Sequence, residues 1–200
     1  MLKTFELCAK KFYFKYIKNI NMPVDDDIFE LGKNIHALAS YYLKKENTEK
    51  MEMALNSKEA AIWEYLKNSQ YFSYSVISTE YSLTVKVADY FFGGRLDALL
   101  KNGDRYYILD YKTGSVPQGA KYDYQTMIYM LAVKEFFKND NVTFVYLDLK
   151  NRDELTIELT PELEIEYRLR LEKAADRINK LDINNKKNNE CKCEYSIICY

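Results

Sequence analysis

Asp110-Tyr111-Lys112 places a carboxylate and an ammonium two residues apart, and Gly94-Arg95-Leu96-Asp97 supplies a second carboxylate shortly before them. In an extended strand successive side chains alternate faces, so Asp110 and Lys112 point one way and Tyr111 the other. If 91–100 pairs with 105–112 through the turn at Asn102-Gly103, Asp97 comes close to Asp110 and two carboxylates converge. Such a pair repels itself unless a proton or a cation sits between its members. Oxygen ligands favour Mg²⁺ or Mn²⁺, and such an ion activates water and neutralises charge building on a phosphate. The same residues also allow a plainer reading, in which Asp97 pairs with Arg95 and Asp110 with Lys112 on a solvated strand face. The apolar Ile108-Leu109 before Asp110, and the break at Thr113-Gly114 after Lys112, favour the functional one.

These residues need a frame. From Val76 onward β-branched and aromatic runs alternate with turns, which predicts strands at 79–87, 91–100 and 105–112 joined as an antiparallel meander. Helical spacing of aromatics and lysines marks 5–18. Asp27-Ile28-Phe29-Glu30 has capping-box spacing, and Leu31, Ile35, Leu38, Ala39, Tyr42 and Leu43 then recur with the helical period, predicting a helix that carries His36. Asp25-Asp26-Asp27 reads as helix-start chemistry rather than a metal site. A further helix is predicted over 49–67 with Trp63 in the core, then a helix at 122–137, strands at 142–149 and 154–159, and a long helix from Thr160-Pro161 to about 181. The order implies an α/β (α+β) domain with a central mixed sheet flanked by helices.

Composition narrows the class. The chain has 200 residues, of which 48% are hydrophobic and 15% aromatic, with only 6 Gly and 3 Pro, so it is expected to fold throughout as one domain, 1–200. With 29 basic and 30 acidic residues the formal charge is −1, which excludes a global positive field for nucleic acid. A local one exists: residues 1–22 carry five Lys and one Glu. Lys10, Lys11, Lys15 and Lys18 alternate there with Phe12, Tyr13, Phe14 and Tyr16, residue types that contact phosphates and stack on bases, or equally form the buried face of an amphipathic helix. No apolar run approaches membrane-spanning length, so a cytoplasmic location and no membrane partner are expected. There, four cysteines read as thiols or metal ligands rather than disulfides.

Gly32-x-x-x-His36, Gly94-x-x-Asp97, Asp110-Tyr111-Lys112-Thr113-Gly114 and Gln125-x-x-x-Tyr129, in that order, resemble the motif series of PD-(D/E)XK nucleases of the RecB type. The resemblance implies a restriction-endonuclease-like core and Mg²⁺- or Mn²⁺-dependent hydrolysis of DNA. It implies that His36, Asp97 and Asp110, with the backbone carbonyl of Tyr111, bind the metal, and that Lys112 positions the attacking water or stabilises charge on the phosphate. Gln125 and Tyr129 share one helix face, and the resemblance has them hold the scissile phosphate or the strand, with plain packing against the sheet as the alternative. Glu80 stands where relatives often have an acidic residue, as an additional ligand or a surface group. Arg95, with Lys10, Lys11 and Lys15, is expected at the DNA.

Cys191-Lys192-Cys193 and Cys199, together with the lone Cys8, resemble the ligand set of the iron–sulfur branch of these nucleases, which includes CRISPR-associated exonucleases and AddB-type helicase–nuclease subunits. The implied cofactor is an iron–sulfur cluster of the 4Fe–4S kind, with a Cys₄ zinc site or uncoordinated thiols as alternatives. Cys191-x-Cys193 departs from the family's Cys-x-x-Cys spacing. Such a cluster would tie segments 1–22 and 184–200 into one subdomain. The implied function is an exonuclease on single-stranded DNA or overhangs, trimming DNA before spacer integration with a Cas integrase as partner. A phage or repair RecB- or AddB-like nuclease, and a non-catalytic DNA-binding assembly module, are the alternatives.

Overall fold

The computed structural model describes residues 1–22, 30–181 and 193–198. Within these, the chain forms two compact units, residues 1–25 with 169–200 and residues 26–168.

The larger unit is built on β1 (Ser75–Val87), β2 (Tyr90–Asn102), β3 (Arg105–Lys112), β4 (Val142–Asp148) and β5 (Asp153–Glu158), ordered β1-β2-β3-β4-β5 in one sheet. β1, β2 and β3 form the antiparallel meander, with β1 starting four residues before its predicted boundary. β3 and β4 are parallel, a pairing that requires a crossover, here α6 (Tyr124–Phe137). β4 is buried at every position, which is why its sequence is almost wholly apolar, and β5 closes the edge antiparallel to it. The expected mixed central sheet with flanking helices is therefore present, and it has the arrangement of a restriction-endonuclease-like core.

One face of this sheet is covered by α3 (Glu30–Leu43) and α5 (Ser57–Lys67). Ile35, Leu38, Ala39, Trp63 and Leu66 pack there with Ala98, Leu100, Leu109, Tyr111, Val145 and Leu147. Alternation along β3 puts Leu109 and Tyr111 on this face and Asp110 and Lys112 on the other, toward α6. The predicted helix 49–67 is two helices, α4 (Glu49–Met53) and α5. Asn56 interrupts it by capping α5, accepting from the backbone N–H of Lys58 and Glu59 while the Glu59 side chain returns a bond to the Asn56 N–H. The predicted capping box at Asp27 and the run Asp25-Asp26-Asp27 lie outside the described residues.

In the smaller unit the predicted helix 5–18 breaks at Cys8, whose backbone is extended, giving α1 (Leu2–Leu7), α2 (Ala9–Phe12) and a π-helical turn Tyr13–Ile17. The Cys8 thiol accepts the Lys11 N–H at 3.4 Å and so starts α2. The C-terminal segment returns to this helix pair: Tyr195 stacks on Phe14 with ring centroids 5.9 Å apart and donates its hydroxyl to the Ile20 carbonyl at 2.7 Å. α7 (Pro161–Asn179) contributes its residues from Leu169 onward to this unit, and Arg177 pairs there with Glu6.

Candidate active site

The site forms where β2 and β3 part. Their paired register ends at Ala98↔Leu109, whereas β3 stays paired with β4 through Lys112. The Lys112 carbonyl accepts from Leu149 on the β4 side, so the Tyr111 N–H and C=O face the side that β2 has left. Buried peptide groups demand partners. The Tyr111 N–H donates to Asp97 Oδ2 at 2.9 Å, and the Tyr111 carbonyl lies 2.8 Å from His36 Nε2. Asp97 thus substitutes for a strand, and His36 completes the arrangement by placing Nδ1 3.2 Å from Asp97 Oδ1.

Both ring nitrogens of His36 face oxygen atoms, and a neutral ring donates to one of them while the other nitrogen keeps its lone pair. Burial opposes its charge, but the hydrogen bond and charge of Asp97, the Tyr111 carbonyl and the charge of Asp110 outweigh burial and raise its pKa above the ordinary histidine value. The helix of His36 is fixed in register by Ser40, one turn on, whose hydroxyl meets that of Thr79 at 2.7 Å in the interior.

Glu80 completes the acidic cluster. It lies directly across β1 and β2 from Asp97, between the pairs Thr79↔Ala98 and Tyr81↔Leu96. Like charges at such cross-strand positions are destabilising. Glu80 also has φ +52, a left-handed conformation that is costly for a side chain of its size. Its Oε2 pairs with Arg95 Nε at 2.9 Å, and ligand atoms of His36, Glu80 and Asp97 all lie within 4.8 Å of one another. The ambiguity left at Glu80 is resolved as far as position goes: it sits with His36 and Asp97, not apart from them.

Asp110 lies on the adjoining face, 3% exposed. Gln125 Nε2 donates to its Oδ1, and Lys112 Nζ stands 2.6 Å from its Oδ2 as an ion pair without hydrogen-bond alignment. Burial raises the Asp110 pKa against the opposing pull of Lys112, and the charge of Asp97 raises it further. Gln125 Oε1 also accepts from Lys112 Nζ at 3.3 Å, so one amide bridges acid and base. Lys112 Nζ is 5.5 Å from the centroid of the Tyr146 ring, which stands opposite Asp110 on β4. Carboxylates, one imidazole, a backbone carbonyl and a buried Asp110 oxygen with an unaligned partner form a donor set that fits Mg²⁺ or Mn²⁺.

Other expected site residues fall differently. Tyr129 is buried, its ring stacks on Phe144, and its hydroxyl donates to the Arg95 carbonyl at 2.7 Å. Burial, with the charges of Asp110 and Asp97, pushes its pKa up to about 12. Its hydroxyl thus ties α6 to the peptide before Leu96 on β2. Lys10 is buried, Lys11 is paired with Glu194 at 2.9 Å, Lys15 is half-buried and Lys18 is exposed. Lys15 Nζ lies 5.6 Å from the Tyr16 ring. Arg95 is 67% exposed and held by Glu80. Cys8 and Cys193 are half-buried and in no disulfide among the described residues, while Cys191 and Cys199 lie outside them. No helix among the described residues is long and apolar enough to cross a membrane.

A cleft of about 790 Å³ opens onto this cluster, lined by His36, Glu80, Arg95 and Asp97 and extended along α3 by Tyr41 and Lys44. Sequence reasoning overlooked Ser40, Thr79 and Tyr41. A serine one turn from His36 within an apolar stripe was the available signal for the first.

Comparison with known proteins follows the same outline. The family described as PD-(D/E)XK nuclease superfamily matches residues 52–200, a span that includes Glu80, Asp97, Asp110 and Lys112 but begins after His36. A crystal structure from Eubacterium rectale named "Putative exonuclease" is similar with TM-score 0.61 at 12% identity, covering 93% of this chain and 79% of that one. The structure of SSO0001 has TM-score 0.40 and 17% identity, with 97% and 94% covered. Among curated proteins no match is found.

Gly94 supplies a test of the geometry. A Cβ there would lie 2.6 Å from Tyr129 Cε1 and 2.8 Å from its hydroxyl. Gly94→Ala is expected to displace Tyr129, break its bond to the Arg95 carbonyl and destabilise the protein by about 1–3 kcal/mol, the usual cost of overpacking. Urea denaturation of Gly94→Ala, with and without Tyr129→Phe, measures this. Unchanged stability in Gly94→Ala would contradict the packing described.

Proposed function

Because the chain belongs to the PD-(D/E)XK nuclease superfamily, we propose that it is a Mg²⁺- or Mn²⁺-dependent deoxyribonuclease that removes nucleotides from single-stranded DNA or overhangs. The observation that carries this reading is the meeting of His36, Glu80 and Asp97 within 4.8 Å, beside the Asp110–Lys112 pair. His36, Asp97, Asp110 and the Tyr111 carbonyl would hold the metal, with Glu80 as an additional ligand. When bound, the ion supplies a water of lowered pKa and neutralises charge on the phosphate.

The protein's own groups divide the remaining work. Lys112, held between Asp110 and Gln125, orients the water for in-line attack on phosphorus and faces the charge that grows on the phosphoryl oxygens as the P–O bond to the leaving strand breaks. Gln125 keeps that ammonium in register, and Tyr129 fixes the backbone at Arg95. Single-stranded substrate is favoured by Tyr41: 44% exposed, it lines the cleft with Lys44 Nζ 5.9 Å from its ring centroid, a surface suited to base stacking beside a phosphate. Along the axis of α3 it is about 7.5 Å from His36. A non-catalytic binding module has no need of a buried carboxylate and ammonium at the same point.

In the smaller unit, an iron–sulfur cluster on Cys8, Cys191, Cys193 and Cys199 remains our proposal. It is supported by Lys11, which donates its N–H to Cys8 and binds Glu194, the neighbour of Cys193. Thiolate ligation fits a reducing, cytoplasmic setting. The cellular role proposed is trimming of DNA before spacer integration with a Cas integrase, phage or repair processing being the alternative.

Two experiments test these readings. On end-labelled single- and double-stranded DNA with Mg²⁺ or Mn²⁺, Asp110→Ala and Lys112→Ala are each expected to lose about 10²–10³-fold in rate. Equal product from parent and variants would sink the catalytic assignment. For the cluster, anaerobically purified protein should contain iron and acid-labile sulfide, both lost in Cys193→Ala. Zinc in their place, or no metal at all, would overturn it.

A further inference from the structure

A second cavity of about 470 Å³ lies on the other side of Thr113 from the metal cleft. The two are immediate neighbours: Thr113 lines both, while consecutive residues of α3 divide between them, Gly32 in the metal cleft and Leu31 in the second. The separation is thin because Gly32 lets α3 approach closely, a Cβ there falling 3.2 Å from Thr113 Oγ1.

The chemistry of the second cavity differs from that of the first. Its lining includes Lys58, Lys150 and Arg152 and no carboxylate. None of the three cations has an ion pair among the described residues. The nearby acid, Asp148, is consumed by the β4–β5 turn, accepting the N–H groups of Lys150 and Asn151 at 3.1 and 2.9 Å and the Asn151 amide at 2.8 Å. Arg152 also borders a neighbouring cavity containing Glu64 and Glu154, without an ion pair to either. Gly114 opens the floor: a Cβ there would meet nothing within 4 Å, so no packing demands the glycine, and its bareness leaves room for a chain to pass close to the backbone.

Arg152 adds an independent observation. Its φ is +55, a conformation glycine adopts freely and a long side chain only at a cost. The turn would form more easily with glycine, yet the position holds a cation that lines this cavity.

We propose that Lys58, Lys150 and Arg152 form an anchoring subsite for the phosphate backbone of the DNA strand that continues past the scissile phosphate, over Thr113-Gly114. This rests on the nuclease reading above and extends it. The metal cleft grips one side of the cut through Tyr41 and Lys44, and the basic cavity grips the other. A strand held on both sides stays in line with Lys112 and is not released after each cleavage.

The test uses the full chain and a fluorescent 20-nucleotide oligo(dT), with binding measured in EDTA across a salt series. The triple variant Lys58→Gln, Lys150→Gln, Arg152→Gly should bind about 100-fold more weakly at 0.1 M salt, its log–log salt slope falling by about two, as loss of three single-strand phosphate contacts requires. With Mg²⁺ its KM should rise while kcat stays within about twofold, because none of the three touches the reacting groups. Arg152→Gly alone should weaken binding while leaving stability equal or higher, a combination that a structural role for the arginine would not produce. Parental affinity and salt slope in the triple variant, in a protein whose parent cuts DNA and whose Asp110→Ala form does not, would overturn the subsite and leave the nuclease reading standing. A parent that neither binds nor cuts DNA would remove both.

Discussion

The hydrogen bond from the Tyr111 N–H to Asp97 joins two strands at the point where their ladder has ended. A gap in the middle of a sheet leaves buried peptide groups without partners, and folding tolerates that only if side chains supply them. Asp97 answers the N–H and His36 the carbonyl. Because β1 continues alongside β2, the same position also puts Glu80 opposite Asp97. One interruption in strand pairing therefore accounts for the concentration of acid and for the place of His36 beside it.

Much of this was legible in the residues. Alternation along Asp110-Tyr111-Lys112 assigns the acid and base to one face and the tyrosine to the core, because strand geometry leaves no other choice. The helix with His36 follows from its apolar stripe. What could not be read depends on three-dimensional closure. No local pattern says that β2 and β3 separate after Ala98, so the link from Asp97 to the Tyr111 backbone was invisible, and with it the promotion of Glu80 from an ambiguous acid to a neighbour of His36. For Tyr129 the spacing from Gln125 is correct for a shared helix face, but only the missing Cβ of Gly94 shows that the ring fills the space above β2.

The basic N-terminal segment illustrates the limit of charge counting. Its lysines alternate with aromatics in a way that suits either nucleic acid or an amphipathic helix, and the fold divides them: Lys10 is buried, Lys11 is paired with Glu194, Lys15 is half-buried and Lys18 is exposed. The cations of the neighbouring cavity come instead from two distant places in the chain, Lys58 and the β4–β5 turn with Lys150 and Arg152. A net charge of −1 conceals both the acidic centre and this basic flank, which serve opposite requirements of one reaction on a polyanion.

The central claim is that the acidic cluster exists to hold a divalent ion, and calorimetric titration of Mn²⁺ tests it most directly. The parent protein should bind Mn²⁺ saturably, while Asp97→Asn and Asp110→Asn should each lose about 10–100-fold or more in affinity with the fold retained by circular dichroism. Parental affinity in both variants, or no binding by the parent, would contradict the account and return these residues to the role of ordinary ion pairs.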